Sequence, residues 1–205
     1  MPGKLYATSV SIRLFWMSED DRNDYERLLL DTPEARTGYK LGKLTDLYWD
    51  MVLHSENFNF MIYNDSQGYC GNISLQHPES DFPEIGIELF KECRNRGIGP
   101  EVVKLLIKEE QKYRPKESYK VRISSKNEHS IYVFEKLGAV LTDTRENIYK
   151  NLITSLQQIV KDADIEEQED VIQDTIAGYE KLLQSHGDIY EYKLYTDSVK
   201  LNKEK

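Results

Sequence analysis

The stretch Glu84-Ile85-Gly86-Ile87-Glu88-Leu89-Phe90, followed by Lys91-Glu92-Cys93 and then Arg94-Asn95-Arg96-Gly97-Ile98-Gly99-Pro100, reads as a strand that passes through a glycine-bearing turn into a helix. Such a connection aims backbone N–H groups and the positive end of the helix at one point, an arrangement that holds a pyrophosphate. Gly97 and Gly99 put no side chain between the backbone and a phosphate. Pro100 fits just inside the helix, where its missing N–H costs little, and Arg94 and Arg96 can add charge-assisted contacts. A Gly-x-Gly turn is also a common plain connector ahead of an amphipathic helix, so the reading needs a second constellation.

That constellation lies one helix and one strand downstream. After Gly97, the positions Ile98, Val102, Leu105 and Leu106 recur at helical spacing as far as Tyr113, and Tyr119 to Ser124 returns to a strand pattern. Asn127-Glu128-His129-Ser130-Ile131-Tyr132-Val133-Phe134-Glu135-Lys136-Leu137-Gly138-Ala139 then reads as a helix that stops at Gly138, a residue suited to a helix C-terminus. Asn127 can cap its own helix or offer its amide to an extended ligand.

Working outward, alternation from Leu5 to Phe15 predicts one strand, and Ser18 with Asp21 resembles a capping box ahead of a helix whose inward stripe is Tyr25, Leu28 and Leu29. Thr32-Pro33 opens another helix with Leu41, Leu44, Tyr48, Met51 and Val52 on its apolar face. Phe58 to Tyr63, Tyr69 to Gln76 and Glu84 to Phe90 form an antiparallel meander, with turns at Asp65–Gly68 and His77–Ser80. Ala139 to Thr144 is a further strand. Two amphipathic helices occupy residues 147–185, joined through the acidic run Asp162, Asp164, Glu166, Glu167, Glu169 and Asp170, before a Tyr-rich last strand, Ile189 to Tyr195, and a polar tail. The fold class is mixed α/β (α+β), a single domain over residues 1–205 with a helical insertion at 147–185.

Arg-x-x-Gly-x-Gly, then a helix, a strand and Asn-x-x-Ser-x-x-x-Phe-Glu-Lys-Leu-Gly-Ala, closely resembles the GNAT superfamily of acetyl-CoA-dependent N-acetyltransferases, with the paired match covering Glu84 to Ala139. The resemblance implies a mixed sheet splayed in the middle, with acetyl-CoA between the strands at Glu84–Phe90 and Tyr119–Ser124. It implies pantetheine binding around Leu89, pyrophosphate binding by Arg94, Asn95, Arg96, Gly97, Ile98 and Gly99, and further cofactor contacts from Asn127 and Ser130. It also implies transfer of acetyl to a primary amine by direct attack in a ternary complex.

An ammonium has no free lone pair, so a base must first take a proton. By the same resemblance Glu84 is the candidate, and strand alternation puts Glu88 on the same side as the reserve. Many relatives carry Tyr where this chain has Phe134, which has no proton for the departing thiolate; Tyr132 points elsewhere on the helix. That substitution keeps open an alternative, a non-catalytic CoA-binding interaction or regulatory module.

Composition narrows the partners. Across 205 residues, a net charge of -9 and a pI near 5.1 oppose broad phosphate contacts to nucleic acid and favour cationic partners such as amines. With 39% hydrophobic and 31% charged residues, no run reaches the roughly 18 apolar residues of a membrane helix, and a cytoplasmic protein is expected. Cys70 and Cys93 have neither metal-finger nor Cys-x-x-Cys spacing, which predicts incidental buried thiols rather than a disulfide framework or zinc site. His129 falls off the Ile131-Phe134-Leu137 stripe and reads as an exposed helix residue rather than a base, and His54, His77 and His186 show no ligand spacing, so no metal is expected. The identity of the acceptor is not written in these residues, and the insertion is open to three roles: covering the acceptor cleft, forming a homodimer interface, or packing on the domain.

Overall fold

A computed structural model describes residues 3–31, 49, 50, 52–162 and 169–199. Eight strands form one sheet in the order β1-β2-β3-β4-β5-β6-β8-β7. They are β1 (Leu5–Thr8), β2 (Ile12–Trp16), β3 (Phe58–Asn64), β4 (Gly68–Gln76), β5 (Glu84–Leu89), β6 (Ser118–Ser124), β7 (Ala139–Arg145) and β8 (Ile189–Tyr195). The helices are α1 (Arg22–Leu30), α2 (Ile98–Tyr113), α3 (Glu128–Lys136), α4 (Ile148–Asp162) and α5 (Glu169–His186). The helix expected from Thr32-Pro33 lies mostly outside the described residues, as does the centre of the acidic connection between α4 and α5.

The single strand expected from Leu5 to Phe15 is two. Ser9 turns the chain by donating its N–H to the Ile12 carbonyl at 2.8 Å, Val10 sits fully exposed at the tip, and β1 pairs antiparallel with β2. In sequence the positions Tyr6, Thr8, Val10, Ile12 and Leu14 alternate through the turn without a break, but Thr8 and Val10 are exposed and a register shift between Leu5 and Ala7 buries Ala7 opposite Leu14. The capping box does form: the Ser18 N–H and hydroxyl both donate to Asp21, at 2.9 and 2.8 Å, setting up the turn that enters α1.

One face of the sheet carries Leu14, Phe60, Ile62, Ile73, Leu75 and Ile85, all fully or almost fully buried. The apolar side of α2, with Ile98, Val102, Leu105 and Leu106 buried as the spacing predicts, belongs to the same core. Glu110, on this buried side and 1% exposed, breaks the apolar rule and shows why it is tolerated. Its carboxylate accepts from Arg114 Nε at 3.0 Å and Nη2 at 2.9 Å and from the Tyr6 hydroxyl. Tyr6 stacks on Phe60 at 4.3 Å, and Arg114 lies over Phe58 at 4.4 Å. Removing the carboxylate leaves three donors, on Arg114 and Tyr6, without their acceptor. Glu110→Ala is therefore expected to destabilise the fold by roughly 2–4 kcal/mol, less than for a wholly buried pair because Arg114 can turn toward water; urea unfolding measures it.

β5 and β6 are parallel but share one register pair, Glu84 with Lys120, supported by Lys120 donating to the Pro83 carbonyl at 2.9 Å. Beyond that point they separate. β6 instead pairs along its whole length with β8, and β8 with β7, so the last strand slots between two strands that precede it in sequence. The insertion occupies the connection between the antiparallel neighbours β7 and β8. Asn147 clasps its two stems: Nδ2 donates to the Gly187 carbonyl, and Oδ1 accepts from the Tyr149 N–H at 3.0 Å. The two helices pack on each other, with Ile153, Ile176 and Leu182 buried and Tyr149 against Tyr179.

Burial also sets an alkaline limit. Tyr192, 2% exposed, donates to Glu135 at 3.1 Å; burial first, and then that carboxylate, pushes its phenol up to about 12. Burial and Glu110 push Tyr6 up further still. Because the folded state holds these phenols neutral, their contribution is complete below about pH 10, the ordinary Tyr value, and is lost as pH rises through about 12. Tyrosinate absorbance is expected to rise for exposed tyrosines first, with the buried set appearing only in a cooperative step coincident with loss of the circular dichroism signal.

Candidate acetyl-CoA and acceptor site

The parting of β5 from β6 exposes main chain. Phe90 donates its N–H to the Cys70 carbonyl at 3.0 Å, which fixes the antiparallel phase between β4 and β5. Alternation then turns the backbone groups of Glu88, Gly86 and Glu84 toward β4 and those of Ile87 and Leu89 toward β6. Beyond the Glu84–Lys120 pair this side has no strand partner, and although Arg94 takes the Leu89 carbonyl, the Ile87 main chain and the Leu89 N–H face the gap, so an extended amide chain can add there like a short strand. Gly71 makes the edge possible. Its φ is +145°, and a Cβ at this position would lie 2.0 Å from the Glu88 carbonyl oxygen.

The cradle follows directly. A single turn, Lys91–Cys93, leads to Arg94 in extended conformation, Asn95 with φ +58° and Gly97 with φ +77°, after which α2 begins. The first-turn N–H groups of a helix have no partner within it, so those of Ile98 and Gly99 project from the α2 N-terminus. Nothing lies within 4 Å of where a Gly97 Cβ would be, so the space in front of the turn is open. Gly99 sits over the Leu89 side chain, where a Cβ would lie 3.8 Å from Leu89 Cδ1. These features fit a pyrophosphate-bearing ligand whose arm runs along Leu89.

The two arginines differ. Arg96 is exposed beside the cradle. Arg94 is braced internally, with Nε donating to the Leu89 carbonyl at 2.8 Å and Nη2 3.8 Å from Asp31, so it fixes the angle at which the turn leaves β5. Asn127 caps α3, its Oδ1 accepting from the Ser130 N–H at 3.1 Å, which leaves its Nδ2 as the donor end. Ser130 is half-buried on the first turn of α3.

Glu84 and Glu88 share a face, as strand alternation predicts, but their settings differ. Glu84 is 8% exposed at the point where β5 and β6 part. Both of its oxygens accept from Arg122 of β6, Oε1 from Nε at 2.8 Å and Oε2 from Nη2 at 2.7 Å. The pair raises the Arg122 pKa, chiefly through the hydrogen bond to Glu84, so the guanidinium stays charged. Glu191 on β8 lies beside it, 3.0 Å from Arg145 and 3.9 Å from Lys120. Glu88, two strand repeats further along β5, is half-buried nearer the open end. Arg122 belongs to neither motif, and no local signal in the sequence marks it; only the tertiary pairing of β5 with β6 brings it to Glu84.

Phe134 is buried in the core at 3% exposure, so position 134 presents an inert ring rather than a hydroxyl. Tyr132 points out, 62% exposed, with Lys136 over its ring. His129 is exposed.

Residues 11–140 match the model of the acetyltransferase (GNAT) domain. The chain belongs to this family. A comparison with curated protein sequences finds no match. Among solved structures, spermidine N-acetyltransferase from Vibrio cholerae in complex with CoA and spermine aligns over 93% of this chain and 99% of its own, at 10% identity and a TM-score of 0.61. RimL, a ribosomal L7/L12 alpha-N-protein acetyltransferase, aligns over 94% of both chains at 12% identity and a TM-score of 0.62. A putative acetyltransferase aligns over 97% of this chain and 90% of its own, at 17% identity and a TM-score of 0.61. At these identities the likeness is one of fold. The chain is a GNAT acyltransferase with the splayed mixed sheet that its motifs imply, and no helix among its described residues is long and apolar enough to cross a membrane.

Proposed function

We propose that this GNAT protein transfers an acetyl group from acetyl-CoA to a primary amine by direct attack within a ternary complex. The observation that carries the reading is convergence: the Ile87 main chain, the Leu89 N–H and the N-terminus of α2, where Gly99 sits over Leu89, meet at the gap where β5 leaves β6. Acetyl-CoA supplies the activated acetyl thioester. Arg96, Gly97, Ile98 and Gly99, with Asn95 shaping the turn, hold its pyrophosphate; Arg94 braces them; Leu89, Asn127 and Ser130 flank the pantetheine arm.

Glu88 takes the proton from the acceptor ammonium. Family resemblance points first to Glu84, but a proton on either of its oxygens would break the two-pronged pair with Arg122. Glu84 instead anchors the apex of the cleft by tying β5 to β6 through Arg122.

The structural neighbours are named for polyamine and protein α-amine acetylation, which makes spermidine and a peptide with a free α-amino group the first acceptors to test. A cytoplasmic setting and a homodimer built on α4 and α5 extend this reading, and an unchanged sedimentation mass after deletion of Asn151 to Gln184 would remove the dimer. The central test is release of CoA thiol from acetyl-CoA against a broad amine panel. Turnover on any amine class supports transfer. Saturable acetyl-CoA binding without turnover on all of them supports the second reading, a CoA-binding regulatory module, which the buried Phe134 favours.

A further inference from the structure

Cys70 and Cys93 are 23 residues apart, yet their sulfurs are 2.9 Å from each other. Two short-range features bring them together. Cys70 stands in β4 next to the Gly71 kink, and its carbonyl receives the Phe90 N–H. The chain then makes one turn, closed by Cys93 donating to the Phe90 carbonyl at 2.9 Å, and this curls Cys93 back over Cys70. Both thiols are reduced and buried, at 0% and 2% exposure. Neither has a part in the transfer chemistry above.

We propose that Cys70 and Cys93 are a disulfide-forming site that fastens the base of the pyrophosphate cradle to β4. A disulfide needs the sulfurs about 2.05 Å apart, so bond formation requires a movement of under about 1 Å between groups already in contact. With hydrogen peroxide as oxidant, the Cys93 thiol gives its proton to solvent and the thiolate attacks one peroxide oxygen; the O–O bond breaks, and the departing hydroxide takes a proton back from solvent, giving the Cys93 sulfenic acid and one water. Cys70 sulfur then attacks Cys93 sulfur; the S–S bond forms, the S–O bond breaks, and a second water leaves with the Cys70 proton. Two thiols are oxidised and one peroxide is reduced to two waters.

Cys93 reacts first because its turn carries exposed Lys91 and Glu92, whereas Cys70 lies within the sheet. Burial, and then the contact with Cys93, pushes the Cys70 thiol up to about 12, so it acts as the resolving partner at contact range rather than as the free nucleophile. Oxidation waits on brief opening of the Lys91–Cys93 turn. Once made, the bond opposes that opening, because the turn can no longer swing away from β4.

The experiment treats the intact protein with a small excess of hydrogen peroxide and reads intact mass, non-reducing peptide mapping and thermal melting. The expected result is a monomer lighter by about 2 Da, the two hydrogens lost, a cross-linked peptide joining Cys70 to Cys93, and a melting temperature raised by several degrees and restored by dithiothreitol. Amide exchange at Cys93 and Arg94 slows in the oxidised form. Two thiols still open to alkylation after denaturation, sulfinic acid in place of the cross-link, or disulfide between two chains would each overturn the proposal. Cys93→Ala and Cys70→Ala provide the no-cross-link controls, and the mass of the unsubstituted protein decides the matter even if either control folds poorly. None of these readouts depends on acetyl transfer.

Discussion

Gly97→Glu is expected to lower the affinity for acetyl-CoA by at least about 100-fold, roughly 3 kcal/mol, in a protein that still folds. Two effects combine at this position. Gly97 holds φ at +77°, which a side-chain-bearing residue adopts at a cost of about 1–2 kcal/mol. The larger effect is charge. Nothing lies within 4 Å of the new Cβ, so the carboxylate meets no steric bar from the protein and reaches the open space before the α2 N-terminus. There it takes the helix-end N–H groups for itself and repels the pyrophosphate. Gly97→Ala separates the two effects, since it keeps the backbone strain without the charge, and should weaken binding by less than about 10-fold. Isothermal titration of both variants checks this. Unchanged affinity in Gly97→Glu would mean that the phosphates sit elsewhere, and equal losses in both variants would assign the effect to the backbone alone.

Gly97 also shows what a sequence can reveal. The cradle is local: residues 89–100 carry the strand, the turn and the helix start within one continuous stretch, so the pattern and the structure coincide. The α3 cap is local too, and Asn127 does what its position ahead of an amphipathic helix suggests. The reading fails where long-range pairing decides. The β1–β2 hairpin hid because alternate residues from Tyr6 to Leu14 read as one long strand, while the register shift that buries Ala7 leaves no local mark. Gly71 appeared as an unremarked strand residue, although its φ of +145° lets β4 come within reach of the Glu88 carbonyl. Cys70 and Cys93 have an uninformative spacing, and only the turn after β5 folds one sulfur onto the other. Arg122 is the clearest case. A basic residue in a polar strand is unexceptional until β5 and β6 are seen to meet at a single register pair, which delivers its guanidinium to Glu84.

That pairing separates the two carboxylates experimentally. Glu88→Gln is expected to lower kcat by about 100-fold to 10,000-fold, the range for loss of a positioned general base, with acetyl-CoA affinity unchanged because the cradle and the Leu89 backbone are untouched. Glutamine keeps the size and one acceptor oxygen but cannot take up a proton, so the rate should lose its dependence on the deprotonated state of this group. Glu84→Gln is a different lesion. It replaces one of the two charge-assisted contacts to Arg122 with a donor facing a donor, so its expected signature is a lower unfolding free energy and a higher KM for the amine, with kcat reduced by less than about 10-fold. Arg122→Gln should copy that signature, because it breaks the same pair from the other side. Steady-state kinetics across pH, with urea unfolding of each variant, distinguishes the roles. A Glu84→Gln protein that keeps its fold and its amine KM but loses the alkaline-rising limb of kcat would return the base to Glu84. A Glu88→Gln protein with undiminished kcat would remove Glu88 from the proton transfer altogether.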